Sequence, residues 1–421
     1  MSSNEVRKRK HREGGDVHTE HASEQKRPIV DNLLDWYVKS QRTLPWRKPP
    51  LEYDFQRAYE VLVSESMLQQ TRVETVIPYF NKWMHKFPTL DSLCQAREED
   101  VLALWSGLGY YSRATRLLQA AKYILETHPK TLQEWKGVPG CGPYTAAAVI
   151  SIAWGLPEAC VDGNVDRVIS RLCAIRGKVD TSSTKKLIQS VASGIILCAP
   201  RNNGGLYNQA LMDLGTAICT PKKPKCDECP LKLQCSAFVE SQTKKYLCLG
   251  CSVCPEEVDN GFSIAKYPQK TVKKPPRKES MIVLIYENKG KYRMKRNTER
   301  KLLAGLYDFP SFPLSPNDIG SIEAAVPKHL NFEYLGETKH LFSHIHRTSF
   351  VYLASFDGQI DEDEMWLDEA TMKTVGISEL ARKNLSLVCE ERKAKKAPKQ
   401  AMKSLAKNQS SLLQWARTPI G

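Results

Sequence analysis

The stretch that decides the fold runs from Gly137 to Arg171 and reads GVPGCGPYTAAAVISIAWGLPEACVDGNVDRVISR. Gly140 and Gly142 let the backbone turn sharply and approach a partner closely, and Pro143 suits the first position of the alanine-rich helix that follows. Amide groups exposed at such a helix start can hold a phosphate, which favours a DNA-binding hairpin. The alternative is a tight turn without a ligand, because Gly/Pro turns are common.

Asp162 lies near the end of this stretch, in front of a second helix. The apolar positions of that helix recur at helical spacing: Val165, Val168, Ile169 and Leu172. The position suits an N-cap, and this structural role holds for most aspartates so placed. A helix N-terminus also favours the ionised form of a carboxylate, and a permanent anion is what a developing sugar cation needs.

Glu65 is a second carboxyl group, and it falls on an apolar helical stripe with Ala58, Leu62, Leu68 and Val76. Burial raises the pKa of a carboxyl, which would let Glu65 carry a proton near neutral pH and act as a general acid. The alternative is a buried glutamate that an arginine or the backbone satisfies.

Composition bounds the class of protein. The 421 residues suffice for two domains, and 61 Lys plus Arg against 47 Asp plus Glu leave a net charge of +14, which favours a polyanionic partner. No apolar run is long enough to span a membrane, and no apolar signal core is present, so we expect an intracellular protein. Seven of the thirteen cysteines lie between Cys219 and Cys254, which indicates metal or cluster ligands rather than disulfides.

Several motifs together resemble one family. They are the PGCGP turn followed by Asp162, VSESMLQQT around Glu65, LWSGLGYYSRA, the four-cysteine spacing C-x6-C-x2-C-x5-C, LLAGLYDFP and HLFSHIHRTSF. From about Leu33 to about Leu387 the chain resembles the MutY-type adenine DNA glycosylases of the helix-hairpin-helix superfamily. The resemblance implies a mainly α helix-hairpin-helix glycosylase domain with an iron-sulfur loop, followed by an α+β Nudix-like domain.

The domain boundaries follow from composition and from this resemblance. Polar, charged residues 1–27 predict a disordered tail; its basic run RKRKHR is interpreted as a nuclear-import signal, with a solvated, DNA-touching tail as the alternative. The catalytic domain is expected over 28–243, a connector over 244–279, the Nudix-like domain over 280–390 and a basic tail over 391–421. The segments MIVLIYE and KYRMKR predict a β-hairpin around ENKGK. No Nudix catalytic motif occurs between Pro310 and Gly336, so we expect lesion recognition rather than pyrophosphatase activity.

The resemblance implies a role for each catalytic residue. Glu65 protonates the adenine, Asp162 stabilises the oxocarbenium-like sugar or briefly bonds to it, and Tyr144 and Asn164 support Asp162 by hydrogen bonding. Related endonuclease III enzymes have a lysine where this chain has Tyr144. Without an amine at that place no Schiff base forms readily, so the expected activity is base hydrolysis alone.

The substrate-binding residues are also implied by the resemblance. Leu68 and Gln70 lie against the flipped adenine and the vacated stack, Arg47 and Trp46 belong to the adenine pocket, and Tyr110 inserts beside the lesion base. Gln209 matches an adenine-contacting position, with a structural hydrogen bond as the alternative. The loop for 8-oxoguanine is Phe342, Ser343 and His344, with a hairpin loop holding two chance histidines as the alternative.

The cysteines form two sets. By ligand count alone, Cys219, Cys226, Cys229 and Cys235 suit zinc or a [4Fe-4S] cluster, and their spacing resembles the iron-sulfur loop of endonuclease III and MutY-type enzymes. Cys248, Cys251 and Cys254 follow in the connector, where animal relatives hold zinc. His18 or His21 would supply the fourth ligand, and the alternative is three free cysteines.

Partners and location complete the expectations. The resemblance implies a monomer that acts on duplex DNA with adenine opposite 8-oxoguanine or guanine, in the nucleus or in the mitochondrion, and a connector that binds the checkpoint clamp. Gln409, Leu412 and Trp415 resemble a sliding-clamp motif. Two alternatives remain: an endonuclease III-like bifunctional glycosylase and lyase, and a catalytically silent mismatch-binding adaptor.

Overall fold

The structure of the chain is a computed structural model, and it divides into two units. The described residues are 17–51, 54–248, 251, 253–254, 262–269, 275–297, 303, 306–314, 332–342, 344–355, 365–373 and 375–396. The first unit comprises residues 1–96 and 116–272, and the second comprises residues 97–115 and 273–421.

Helices account for most of the first unit. In chain order the helices before residue 244 are α1 (Val17–Ser40), α2 (Phe55–Leu68), α3 (Val73–Lys86), α4 (Leu90–Cys94), α5 (Glu98–Trp105), α6 (Ser112–Thr127), α7 (Leu132–Trp135), α8 (Pro143–Trp154), α9 (Gly163–Leu172), α10 (Ser182–Ile196), α11 (Gly204–Ala217) and α12 (Ser236–Thr243). Helix α1 overlaps residues 17–27 of the predicted tail, whereas the basic run at 7–12 lies outside the described residues. None of the described helices is long and apolar enough to cross a membrane.

Helix α2 carries Glu65, and its ends have local causes. The Asp54 side chain accepts a hydrogen bond from the Gln56 amide and caps the start. The helix stops at Leu68, and Gln70 adopts a left-handed conformation with φ of 57°. The predicted stripe is therefore wrong at its far end: Val76 lies on α3, because the turn at Gln70 breaks the helical periodicity.

The PGCGP turn joins α7 to α8. Gly140 has φ of 83°, and a Cβ there would lie 3.1 Å from the Arg116 Cβ, so the turn requires glycine at this position. Gly142 caps α8 with φ of −74°, and a Cβ there would meet nothing within 4 Å. Pro143 opens the helix, as its missing N–H and preset φ favour.

A buried apolar cluster holds α9 in place within the helical unit. Residues of α9 pack there with α1, α10 and α11: Leu33, Val165, Ile169, Ile188, Ile195, Tyr207 and Leu211 are each almost fully buried. This packing sets the position of the α9 N-terminus, and therefore of Asp162, relative to α2 and α8.

The second unit contains the sheet. Its strands are β1 (Arg277–Asn288), β2 (Lys291–Arg296), β3 (Tyr307–Asp308), β4 (Ser311–Pro313), β5 (Glu333–Leu341), β6 (Ile345–Ser355) and β7 (Met365–Asp368), and α13 (Glu379–Lys396) follows. The order is β3-β2-β1-β6-β5, with β4 on β1 and β7 on β2; β1 and β6 are parallel, and the other pairs are antiparallel. The predicted β1–β2 hairpin is confirmed, and Lys289 and Gly290 turn with positive φ, as tight hairpins require. The mainly α first unit and the α+β second unit match the predicted fold class.

Residues 97–115 depart from the predicted domain plan. They fall inside the predicted catalytic domain, yet they group with the second unit, where Arg382 Nη2 donates to Ser106 Oγ at 2.9 Å. Leu102 also lies beside Gly376 there. These contacts join segments far apart in sequence, which composition does not reveal.

The described part of the connector packs on the first unit. Tyr267 is buried there; its hydroxyl donates to Glu240, and its carbonyl accepts from Arg171 Nε at 3.2 Å. Apolar contacts with Ala174 and Ala237 add to this anchoring. The connector is therefore held to the helical unit at this place.

Candidate active site

A cavity of about 380 Å³ opens in the helical unit between α2, α8, α9 and α11. Its volume lies within the range typical of small-molecule sites. Nine of the predicted site residues line it: Trp46, Arg47, Glu65, Leu68, Gln70, Tyr144, Asp162, Asn164 and Gln209. The fold thus brings together residues that are up to 163 positions apart (from Trp46 to Gln209) in the chain.

Glu65 lies in the wall of this cavity with only 8% of its surface exposed. Burial raises the pKa of Glu65 to about 7, and the negative charge of Asp162 adds to the rise. The Tyr144 hydrogen bond and the Arg47 charge act in the opposite direction. A carboxyl group with this pKa is partly protonated near neutral pH, which suits a proton donor.

Asp162 has the opposite surroundings, because three N–H groups point at its carboxylate. Oδ1 accepts from the amides of Asn164 at 2.9 Å and Val165 at 2.8 Å, and Oδ2 accepts from Asn164 Nδ2 at 2.9 Å. These bonds cap α9 and fix the orientation of the carboxyl group. The structure therefore places Asn164 where the resemblance implied, as a hydrogen-bond partner of Asp162.

Tyr144 requires a correction. Its hydroxyl donates to Glu65 Oε2 at 2.9 Å and lies 3.8 Å from Met212 Sδ, whereas the resemblance implied a hydrogen bond to Asp162. Burial raises the pKa of Tyr144 well above its usual value, so the hydroxyl stays protonated and acts as the donor. The reason is geometric: α8 directs the ring from its first turn toward α2 rather than toward the α9 cap.

Arg47 is held by an acid that the sequence analysis missed. Asp213 on α11 receives Arg47 in a two-pronged ion pair, at 2.7 Å from Nη1 and 2.9 Å from Nη2, and Arg42 Nη2 lies 2.5 Å from the same carboxylate. Burial alone would raise the pKa of Asp213, but Arg47 and Arg42 outweigh burial and lower it. An acid within the apolar run NQALMDLG was the available signal.

The other predicted residues of the adenine pocket differ in burial and in their contacts. Trp46 is buried and meets the Phe80 ring edge-on, with centroids 5.3 Å apart. The Gln209 side-chain amide donates to the Gly205 carbonyl of its own helix at 3.1 Å, which is the structural hydrogen bond weighed as the alternative, while the residue still lines the cavity. Leu68 and Gln70 lie at the end of α2, on the cavity rim.

A chain of hydrogen bonds leads from Asp162 to the first cysteine of the four-cysteine loop. Asn164 Oδ1 accepts from Arg167 Nη2 at 2.9 Å, and Arg167 Nε donates to the Cys219 carbonyl at 2.8 Å. Arg171, one turn further along α9, donates to Cys219 Sγ at 3.3 Å and to the carbonyl of Thr220 at 2.8 Å. Helix α9 therefore has Asp162 at its N-terminus, and its later residues Arg167 and Arg171 hydrogen-bond the cysteine loop.

The four cysteines of this loop surround a small apolar cavity: Cys219, Cys226, Cys229 and Cys235 all line it. A single tetrahedral zinc, with Zn–S bonds of about 2.3 Å, would bring its thiolates to within about 4 Å of one another. No three of these sulfurs lie within 4.8 Å of one another. Four thiols around a shared space could hold a metal centre.

The second cysteine set has the tighter spacing. The thiol sulfurs of Cys248, Cys251 and Cys254 lie within 4.8 Å of one another, which suits a single metal ion. The Arg176 amide donates to Cys254 Sγ at 3.3 Å, and the Cys254 amide donates to Cys251 Sγ at 3.1 Å. His18 lies in α1, but its side chain and that of His21 are outside the described residues.

Tyr110 belongs to the second unit, in the loop between α5 and α6. It has φ of 47° and is 51% exposed, and the Arg113 guanidinium lies 5.5 Å from the centre of its ring. Gly109, with φ of 72°, shapes the preceding turn, and its carbonyl accepts from Trp105 Nε1 at 3.0 Å. The loop thus presents Tyr110 at a surface, as an intercalating residue requires.

The predicted lesion-reading loop joins β5 to β6. The Phe342 ring lies against His340, with centroids 4.4 Å apart, and under the Arg347 guanidinium. His344 is exposed and lines a cavity of about 630 Å³ with four cationic residues, Arg277, Lys295, Arg296 and Arg347, and two acidic ones, Glu279 and Asp308. Ser343 lies outside the described residues.

The chain is similar to known DNA repair proteins. Residues 63–193 match the family model described as HhH-GPD superfamily base excision DNA repair protein. The chain is 37% identical to the adenine DNA glycosylase of Schizosaccharomyces pombe, over 87% of this chain and 90% of that protein. It is 34% identical to the human adenine DNA glycosylase, over 84% of this chain and 72% of that protein. A thermostable thymine-DNA glycosylase of known structure matches 52% of this chain and 99% of its own, with 25% identity and a TM-score of only 0.44.

Proposed function

The chain belongs to the adenine DNA glycosylase family, and from this premise we propose that it excises adenine paired with 8-oxoguanine or guanine in duplex DNA by hydrolysis alone. It is a DNA glycosylase, and its net charge of +14 suits a DNA substrate. The observation that carries the proposal is the pairing of Glu65 and Asp162 in one cavity, with opposite surroundings.

The reaction begins with a flipped adenine in the cavity beside Trp46 and Arg47. Glu65 gives its proton to N7, the electron pair of the glycosidic bond passes to the base, and adenine leaves neutral. Asp162 stabilises the cationic character that develops at C1′ of the sugar. Water then adds to C1′ and returns a proton to Glu65, which completes the hydrolysis.

The surroundings of the two carboxyl groups support these roles. Desolvation favours the protonated form of Glu65, whereas three N–H donors bind the oxygens of Asp162 and direct its carboxyl group. Tyr144 donates to Glu65 and offers a phenol where a lyase would need an amine, so no covalent imine intermediate forms.

The binding steps are assigned to four regions. Tyr110 and Gln70 fill the space that the flipped adenine leaves, and stacking of this kind contributes roughly 1–3 kcal/mol. The PGCGP turn holds a phosphate through the amides near Gly140 and Gly142. The loop of Phe342, Ser343 and His344 reads the base opposite adenine, and His344 lines the charged cavity of the second unit.

Two metal centres fit the donor sets. Cys219, Cys226, Cys229 and Cys235 would hold a [4Fe-4S] cluster that stabilises the loop, and the lysines of that loop would contact phosphates. Cys248, Cys251 and Cys254 would hold zinc, with His18 as fourth ligand. Neither centre takes part in the hydrolysis.

We also propose a nuclear location. The connector would bind the checkpoint clamp, and a sliding clamp would bind Gln409, Leu412 and Trp415. The clamp motif and the basic run at residues 7–12 lie outside the described residues, so the sequence alone supports both assignments. Unchanged clamp affinity after Leu412→Ala combined with Trp415→Ala would dismiss the clamp assignment.

The test is single-turnover cleavage of duplexes carrying adenine opposite 8-oxoguanine, adenine opposite guanine, or an oxidised pyrimidine. We expect breaks at adenine only after hot alkali, and no protein–DNA adduct after borohydride. Glu65→Gln should lose excision by at least a hundredfold, in keeping with general acid catalysis. Trapping on the pyrimidine duplex would instead identify a bifunctional lyase, and binding without cleavage would identify an adaptor.

A further inference from the structure

Two cations share the cavity wall with the acid Glu65. Arg47 has a side chain only 12% exposed, and Arg42 stands beside it with a side chain 40% exposed. A cation close to a buried carboxyl group favours the ionised form of that group, typically lowering its pKa by about 1–3 units. Two uncompensated arginines at this wall would therefore oppose the protonated Glu65 that catalysis needs.

Asp213 forms ion pairs with both Arg47 and Arg42. Its side chain is only 5% exposed, and it takes both Arg47 nitrogens and one Arg42 nitrogen within 2.9 Å. The Tyr37 ring supports Arg47 from another side, with the guanidinium 5.6 Å from the ring centre. Two-pronged pairing of this kind fixes the direction of the guanidinium as well as its charge.

We propose that Asp213 is a positioning residue for the reaction: by binding Arg47 and Arg42 it offsets part of their positive charge and keeps the Glu65 carboxyl available as a proton donor. This inference rests on the proposed function, because it presupposes that Glu65 is the acid. Asp213 itself need not touch the reacting atoms.

The other groups that face Glu65 come from several elements. Those that act on it are Tyr144 on α8, Asp162 at the start of α9, the Cys160 thiol before α9, and Arg47 in the segment after α1. Asp162 already raises the pKa of Glu65, and Tyr144 contributes a neutral donor. Arg47 is thus the cation in this set. Its counterion Asp213 is therefore the group that can still change the pKa of Glu65.

The experiment is the pH profile of single-turnover adenine excision for the full chain and for Asp213→Asn. The alkaline limb of the wild-type profile should fall near the Glu65 pKa of about 7. In Asp213→Asn we expect this limb to move down by about one unit, since the arginines lose their counterion. The rate relative to wild type would then fall about twofold at pH 6 and about tenfold at pH 8.

Two variants keep the test decisive. Asp213→Glu retains the charge, so it should restore the position of the limb even if the rate is lower. Arg42→Gln leaves Asp213 paired with Arg47 alone, so more of the Arg47 charge is offset and the limb should move upward. This variant serves if Asp213→Asn does not fold. A purely structural role for Asp213 would instead lower the rate by the same factor at every pH.

Failure of this inference is distinguishable from failure of the proposed function. A wild-type chain inactive on adenine, or a Glu65→Gln variant with the wild-type rate, would overturn the proposed function. If both behave as proposed and the limb of Asp213→Asn and of Arg42→Gln stays at its wild-type position, Asp213 does not act through charge, and the inference alone is overturned.

Discussion

The two carboxyl groups of the cavity illustrate how neighbouring acids acquire different chemistry. Glu65 is almost fully buried, so water stabilises its charge only slightly. Asp162 stands at the N-terminus of α9, where amides without helical partners bind its oxygens. Environment, rather than residue type, assigns the proton to Glu65.

Glu65 also carries a stability prediction. An unfolded glutamate has a pKa near 4.5, whereas burial raises the folded pKa to about 7. Between these values the folded state binds more protons, so the Glu65 contribution to stability falls as pH rises through this window. Glu65→Gln should therefore gain about 3 kcal/mol relative to wild type at pH 8 and little at pH 5.

Denaturant unfolding of both proteins at the two pH values measures this difference. Asp35→Asn, at an exposed position of α1, provides a control that should show no such pH-dependent gain. An equal effect of Glu65→Gln at pH 5 and pH 8 would mean that Glu65 is already ionised across this range in the folded protein.

At the scale of elements, the two glycines of the turn between α7 and α8 differ. Gly140 is needed for the backbone conformation, whereas Gly142 leaves space that a partner could approach. Gly140 has a conformation that other residues adopt with difficulty, whereas Gly142 has ordinary helix-start dihedrals and faces open space. The sequence treats the two glycines alike, and only their geometry distinguishes a structural requirement from a functional one.

This distinction yields a matched pair of substitutions. Gly140→Ala should destabilise the protein by about 1–2 kcal/mol, because alanine strains at positive φ and its Cβ would meet Arg116. Gly142→Ala should leave the melting temperature unchanged but weaken DNA binding, since its methyl would enter the space where a phosphate approaches. Thermal melts and duplex titrations at two salt concentrations check both; unchanged DNA affinity of Gly142→Ala would argue against the phosphate site.

The whole molecule depends on parts that are distant in sequence. Helix α9 reaches the four-cysteine loop through Arg167 and Arg171, and Arg176 reaches the second cysteine set. Both sets therefore anchor to the region that follows Asp162. The cysteine loops extend the helical core instead of forming separate domains.

Elemental analysis of the full chain tests the two centres. We expect about four iron atoms and about one zinc atom per chain, with the absorption of an iron-sulfur cluster. Cys226→Ser should lose iron and lower the melting temperature, whereas Cys251→Ser should lose zinc and retain iron. Iron without zinc in the wild-type protein would leave Cys248, Cys251 and Cys254 as free thiols.

Much of the fold and the candidate site could be predicted from local patterns. Period-two and period-3.6 apolar repeats predict the β1–β2 hairpin and the helices, and motif spacing selects Glu65, Asp162 and the cysteines. Asp213 could not be found in this way, because its importance lies in a pairing with Arg47 across 166 residues. The Tyr144 partner was predicted wrongly for the same reason: a motif specifies which residues occur, and packing decides which atoms meet.

By itself, the sequence determined the fold class, the family and nine of the residues that line the cavity, because these depend on local periodicity and on motifs read within one segment. Only the tertiary structure decided that Tyr144 hydrogen-bonds Glu65, that Asp213 pairs with Arg47 and Arg42, and that the two cysteine sets differ in spacing. These are distances between segments brought together by the core, and electrostatic effects on Glu65 depend on distance and burial rather than on order along the chain.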